Sequence, residues 1–536
     1  MSHAGDDIGR LEPRGPSRKE FLRQTATFGA LALGAGVLAG CSTSSSSPTS
    51  TSKNATLTGA STDDLIDADP AFSSSGMDNY VQQAVFEGLQ TYVPNGTSAV
   101  ENRLAESFSV SASGLEVHFR LKQGVMFHKG FGECTAQDVK FSFERIAGIL
   151  KPNLNSPYSG NWLTLKEVQV LNKYEGVIVL SKPYAPLLDL TIPYISGMIV
   201  SEKAVKALGK TFARDPVGTG PYEFVSWTPG QQVVLKRFEG WHGRPLPDFA
   251  EIILHPITDE QTKLIGLQTG ELDGGQLDYT SIKRANSLPG VKVHSRSTLN
   301  YAWIGMNQLH PNLTDINVRQ AVRYAIDVPS IIKAGYADAV QRATAVLAPG
   351  MPVGYWSGAP VYNQDLDRAK AYLKRAAAVP KNLTFTTYLS SAAADTIAQI
   401  AVANLAAIGL NASIVTKPEE ASGTFLQDQQ LFYATFGGIA PDPYQATEWF
   451  TCSQFNQWNW QYWCNKQADQ LQNAALYEID KAKRNAMYIE WQRLWNNAVN
   501  TVWLAWLANP FGYLSSQLKP AFYVWGDPAW WAFQTV

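Results

Sequence analysis

Cysteine, surplus charge and long apolar runs are all scarce in this chain of 536 residues. Four cysteines, with no Cys-x-x-Cys pair, give no basis for a structural zinc site, and the seven histidines show no pair at helical ligand spacing. No metal or other cofactor is therefore expected. The 44 Lys plus Arg nearly cancel the 46 Asp plus Glu, leaving a net charge of −2, so there is no broad basic field to hold nucleic acid phosphates. Neither Gly-x-Ser-x-Gly nor His-Glu-x-x-His occurs, and no Lys follows a glycine loop as a phosphate site requires. No internal repeat is visible, and no apolar run reaches the roughly 20 residues of a spanning helix. What is present is 45% hydrophobic and 11% aromatic residues, enough for more than one core when folded units run to about 100–250 residues. The length also rules out a small disulfide-stapled scaffold.

The N-terminal end reads as an address. Ser17-Arg18-Lys19-Glu20-Phe21-Leu22-Arg23 precedes an uncharged stretch from Thr25 to Gly40, the order of an export signal over residues 1–40. The basic string resembles a twin-arginine signal with Lys19 in place of the second Arg, and leaves the general secretory and twin-arginine routes open. Leu38-Ala39-Gly40-Cys41 resembles the bacterial lipobox, which implies cleavage, lipid on Cys41 and a protein anchored outside the cytoplasmic membrane by that lipid. Residues 41–54 then form a Ser/Thr-rich tether that has too little apolar surface to order itself. Removing residues 1–40 takes away five basic and four acidic residues, leaving 39 and 42, a mildly acidic remainder.

From residue 55 onward the pattern is mixed α/β. Val117, Phe119 and Leu121 alternate with His118 and Arg120, the period of a half-buried strand, whereas Val318, Ala321, Val322 and Ala325 recur at helical spacing. Thr258-Asp259-Glu260-Gln261 reads as a capping box ahead of Leu264, Ile265 and Leu267. Runs at 233–238, 252–257, 383–389 and 412–416 are β-rich. Gly218-Thr219-Gly220-Pro221-Tyr222 reads as a turn entering a strand.

Three stretches together carry a resemblance. Leu104-Ala105-Glu106-Ser107-Phe108 is followed by Gly114 to His128 and by Thr135-Ala136-Gln137-Asp138-Val139 through Arg145; Asp215 to Tyr222 is followed by Leu267 to Gly274; and Asn317-Val318-Arg319-Gln320-Ala321 runs to Asp327. In order and spacing they resemble the solute-binding proteins of bacterial ABC importers, family 5, the dipeptide and oligopeptide type. The resemblance implies a two-lobed periplasmic-binding-protein fold, type II, in its large three-domain variant, with a hinge between the lobes. One lobe would take residues 55–300 and 507–536, including an extra subdomain at about 100–210, and the other residues 301–506. It further implies a receptor and not an enzyme: a monomer that captures a small solute between closing lobes and hands it to the permease subunits. The solute expected is a di- or oligopeptide. An opine, a sugar conjugate or an oligosaccharide is the alternative, and an exported hydrolase the remote one.

Site candidates follow from the same resemblance. In Phe436-Gly437-Gly438-Ile439-Ala440-Pro441-Asp442-Pro443-Tyr444, Asp442 is the candidate partner of a ligand ammonium and Gly438 a contact. The competing reading makes Asp442 a cap on its own turn. Eleven of the 16 tryptophans lie after residue 448. Of these, Trp458 and Trp460, with Asn459 between them, suit a cleft that stacks on solute and fixes it with a few polar contacts. Trp491, Trp495 and Trp503 read as a buried helix stripe. Gly76 and Met77, after the first strand, and Trp303 and Asn307, past the proposed crossover, complete the set. Cys452 and Cys464 are expected to pair, as in dipeptide-binding relatives, leaving Cys134 as a buried thiol.

Overall fold

The computed structural model describes residues 55–72, 75–388, 392–417, 429–437 and 440–536. The export signal, Cys41, the tether and Gly438 lie outside them. All the described residues belong to one compact unit, Thr51–Val536.

Two mixed sheets organise this unit. The first runs in the order Tyr222–Thr228, Gln232–Arg237, Glu251–Pro256, Thr56–Ser61, Gly274–Gln276, Phe511–Leu514, Val291–His294. Thr56–Ser61 lies at its centre, parallel to both neighbours. The second runs Gln341–Arg342, Thr501–Ala508, Ser297–Met306, Leu431–Phe436, Leu383–Thr387, Ala412–Thr416. The chain passes from the first sheet to the second at Ser295–Arg296 and returns at Asn509–Pro510. Asn300 and Trp506, where the sequence places its crossovers, are strand residues of the second sheet.

A third sheet, wholly antiparallel, is inserted between strands of the first: Ala105–Val110, Glu116–Leu121, Glu175–Leu180, Leu165–Val170. Here Val117, Phe119 and Leu121 are buried and Glu116, His118 and Arg120 exposed, because successive side chains leave a strand on opposite faces. Helix Ala136–Ile146 covers this sheet, and its capping box is Thr135 with Asp138.

The expected helix after residue 258 is present as Glu260–Thr269, but Asp259 and not Thr258 caps it. Asp259 accepts from the Thr262 N–H at 2.8 Å and from the Thr262 hydroxyl at 2.7 Å, and its charge suits the positive end of the helix dipole. Leu264 and Leu267 are buried while Ile265 faces solvent. Gly218 has a packing reason: a Cβ there would meet the Val85 carbonyl oxygen at 2.0 Å.

The strand Ser297–Met306 divides two cores. Tyr301 and Trp303 point into an aromatic core with Trp491 and Trp495, while Ala302 and Ile304 point into an aliphatic core beneath helices Ile316–Ala325 and Ala392–Ala406. Trp491 and Trp495 stack at 5.5 Å within helix Lys481–Ala498, but Trp503 reaches Trp495 from strand Thr501–Ala508. The three therefore do not form one helix stripe.

Among the described residues no helix is long and apolar enough to cross a membrane, and no group of three His, Cys, Asp or Glu is placed to hold a metal ion. Cys452 and Cys464 are bonded, and Cys134 is a buried thiol whose pKa burial pushes well up.

Candidate functional site

Ligand crevices in open α/β sheets form beyond the carboxyl ends of the strands. At that end of the first sheet, strand Thr56–Ser61 leads to Asp63, whose carboxylate accepts from the Gly76 N–H at 3.1 Å. Ser75 caps the helix Gly76–Val85 that follows, in a reciprocal box with Asp78. Gly76 thus lies beyond the carboxyl end of the central strand, where a Cβ would come within 3.1 Å of the Asp63 carboxylate. Met77 is fully buried in the core and presents nothing to solvent. Nearby, Asp527 is pushed up to about 6 by burial and by the charge of Asp63, against the Trp525 indole N–H donating to it at 3.0 Å.

In the second sheet, the end of strand Leu431–Phe436 lies opposite Tyr301. Around them collect Trp303, Phe450 and Trp503, with ring centroids 5.2–6.5 Å apart. Tyr301 donates its hydroxyl to the Ala446 carbonyl at 2.8 Å, tying the strand to the short helix Pro443–Thr447. Trp303 lies in this shell 1% exposed, and its indole N–H has no acceptor among the described residues.

Asp442 opens that short helix and is fully buried. Its Oδ1 accepts from the Tyr444 N–H and from Arg484 Nη2, each at 2.8 Å. Arg484 Nη1 lies 2.8 Å from Oδ2, as a charge contact turned away from a hydrogen-bond alignment. Both halves of the carboxylate are therefore occupied. The geometry corresponds to the capping reading, and a ligand ammonium would have to displace Arg484 to reach Asp442.

The disulfide loop separates its three expected contacts. Asn459 is buried; its amide donates to the carbonyls of Phe450, Thr451 and Trp463 at 3.2, 3.0 and 2.6 Å, and its Oδ1 accepts from the Trp463 N–H at 3.2 Å. Those bonds hold the loop and leave no group for a solute. Trp460 is 6% exposed, packs edge-on to Phe432, and donates its indole N–H to Gln457. Of the three, only Trp458, 39% exposed and set edge-on to Trp449 and Phe436, offers a ring to solvent. Asn307 is misplaced for a contact beside Tyr301. It follows the far end of strand Ser297–Met306, where Met306 pairs with Leu431, and its side chain donates to the Gln429 carbonyl and accepts from the Leu309 N–H.

The structure adds residues that sequence reasoning missed. Glu448 follows the short helix and meets the hydroxyl of Tyr444; burial pushes its carboxyl up to about 7, with the charge of Asp442 adding and Tyr444 opposing. Tyr184, on a loop leaving the inserted antiparallel sheet, is buried, and its hydroxyl pKa is raised by burial and then by the charge of Asp442 and by Tyr444 and Glu448. The next residue of that loop, Ala185, donates its N–H to the Leu476 carbonyl at 2.8 Å. Between the loop and the start of helix Lys481–Ala498 lies a cavity of about 380 Å³ that includes Asp189, Lys481 and Arg484 in its lining. The available signal for Glu448 was an acidic residue set directly before Trp449 and Phe450, six positions after the Asp-Pro pair.

Residues 99–461 match the family described as bacterial extracellular solute-binding proteins, family 5 Middle. The glutathione-binding protein GsiB of Shigella flexneri is 24% identical over 437 residues, which is 78% of this chain and 83% of that protein. Among solved structures, the periplasmic binding protein DppA of Helicobacter pylori, in complex with the peptide STSA, superposes with a TM-score of 0.76 at 24% identity, covering 90% of this chain and 98% of that one. The substrate-binding protein CtaP of Listeria monocytogenes superposes with a TM-score of 0.81 at 20% identity, covering 90% and 99%.

Proposed function

The chain belongs to family 5 of the bacterial extracellular solute-binding proteins, and from that premise we propose that the solute it captures is a di- or oligopeptide. It is the solute-binding receptor of an ABC importer and not an enzyme. The observation that carries the peptide reading is the cluster of aromatic rings at the end of strand Leu431–Phe436, where Phe436, Trp449 and Trp458 lie with ring centroids 5.4–6.3 Å apart and Trp458 is 39% exposed. Such a surface suits a solute with apolar side chains. The glutathione-binding and peptide-bound relatives support the same class.

The lobes are read as residues 55–300 with 507–536, and 301–506, moving about the passages Ser295–Arg296 and Asn509–Pro510. Ligand then favours the closed form by its higher affinity for that form. Cleavage after residue 40 and lipid on Cys41 would hold the receptor at the membrane as a monomer beside its permease.

Native mass spectrometry of residues 42–536 purified from the source organism, with release of any retained molecule, tests the solute class. A co-purifying peptide supports the proposal, whereas an opine or oligosaccharide in its place overturns the peptide assignment and keeps the receptor role. Retention of Cys41→Ser at the membrane would refute the lipid anchor.

A further inference from the structure

We infer that the small cavity lined by Arg323 and Arg342, beside the second sheet, is a binding site for one inorganic anion of chloride size, whichever solute the receptor takes.

Helix Ile316–Ala325 places Arg319 and Arg323 one turn apart, 7% and 4% exposed. Arg319 donates to the carbonyls of Leu313, Thr314, Ala498 and Val499 at 2.6–3.1 Å. Arg323 is less well matched. Its Nη2 donates to the Asn496 carbonyl at 3.1 Å and reaches the Thr501 carbonyl at 3.5 Å, while its Nε is buried with no acceptor among the described residues. The Tyr362 ring lies against the guanidinium, its centroid 4.5 Å from Cζ. Arg342, half-buried on strand Gln341–Arg342, lines the same cavity and donates to the Asn363 side-chain oxygen at 2.7 Å and to the Tyr362 carbonyl. All of these acceptors are neutral. Among the described residues neither Arg323 nor Arg342 forms an ion pair, and the lining, which also takes in Asn496, Thr501 and Trp503, holds no Asp or Glu. Asp327 acts on Arg342 through space, but its two oxygens are taken up by Ser330 at the start of helix Val328–Gly335. A guanidinium keeps its proton, so a buried one is matched by an anion or left at a cost. The cavity measures about 20 Å³, which admits one particle of water size and excludes a phosphate, a sulfate or a carboxylate. Coulomb attraction from the two arginines acts on a chloride ion and not on a neutral water, and so favours the halide.

The test is anomalous diffraction from crystals of the chain from residue 42 grown in sodium bromide, together with melting curves in sodium chloride and in sodium gluconate at equal ionic strength. An anomalous peak in the cavity, in contact with Arg323, is the expected result. Chloride should raise the wild-type melting temperature above that in gluconate, an ion too large for the site, by at least about 2 °C, levelling off as the site fills. Arg323→Gln, which removes the buried charge, should lose both the peak and the shift. Arg342→Gln, at a half-buried position and so the gentler change for folding, should raise the chloride concentration at half-saturation by about threefold or more. A water without anomalous signal in the cavity, bromide bound only at exposed side chains, or an equal chloride shift in wild type and a folded Arg323→Gln protein overturns the inference. Should Arg323→Gln fail to fold, Arg342→Gln decides: a raised half-saturation sustains the inference and an unchanged one overturns it.

Discussion

Two carboxylates stand six residues apart at the two ends of one short helical turn, and their surroundings are opposite. Asp442, at its start, is buried against Arg484 and caps the backbone; Glu448, at its end, is half-buried, meets the Tyr444 hydroxyl and forms no ion pair among the described residues. The difference teaches that a buried charge already matched within the protein is architecture, while a carboxyl left unmatched holds its proton to higher pH. Burial disfavours the charge of Arg484, yet Asp442 outweighs this and holds the guanidinium pKa above its usual range.

The largest effect is expected from breaking the matched pair. Arg484→Met leaves Asp442 buried without a counter-charge and should lower stability by about 3–5 kcal/mol in denaturant unfolding. A loss below about 1 kcal/mol would show that water reaches Asp442 and would erase the contrast. Next in size, replacing both Cys452 and Cys464 by serine should cost about 2–3 kcal/mol, since the bond closes a 12-residue separation in the unfolded chain. Binding should weaken as well if the loop orders Trp458, and titration of a tripeptide library reads that out.

Glu448→Gln should act in the opposite direction on stability. The carboxyl titrates near 4.5 when exposed and at about 7 when folded, so the folded state binds the proton more tightly. Its contribution is full below pH 4.5 and is lost as the pH rises through 7. Discounted for partial exposure, the substitution should raise stability by about 1–3 kcal/mol at pH 8 relative to wild type and make no such gain at pH 4. Melting curves at the two pH values check it, and a gain equal at both would mean that the carboxylate is not desolvated. Smallest of all, Trp458→Ala should change stability by no more than about 0.5 kcal/mol, because its ring is 39% exposed, yet it should weaken solute binding. A large stability loss there would move Trp458 from the open group into the architecture.

The legible part of the fold was local. Alternation in Glu116–Leu121 and helical spacing in Ile316–Ala325 show directly in the chain, because a side chain's face is set by strand or helix geometry. Pairing of Cys452 with Cys464 was expected from the resemblance, and the bond is present. The site was harder to read. Asn459 has the chemistry of a ligand contact, but three backbone carbonyls converge on its amide from residues four to nine positions away. Asn307 lies six residues beyond Tyr301 along an extended strand, and so at the other end of the sheet.

By itself the sequence determined the mixed α/β character and the aromatic richness of the last third, since composition and periodicity are properties of neighbouring residues, and its ordered short motifs carried the resemblance that implied the family and the receptor role. Only the tertiary structure decided which carboxylate is already matched within the protein. Arg484 lies 42 residues from Asp442 and Tyr184 lies 264 from Glu448, and whether a buried charge finds its counter-charge is settled by the packing of such distant segments.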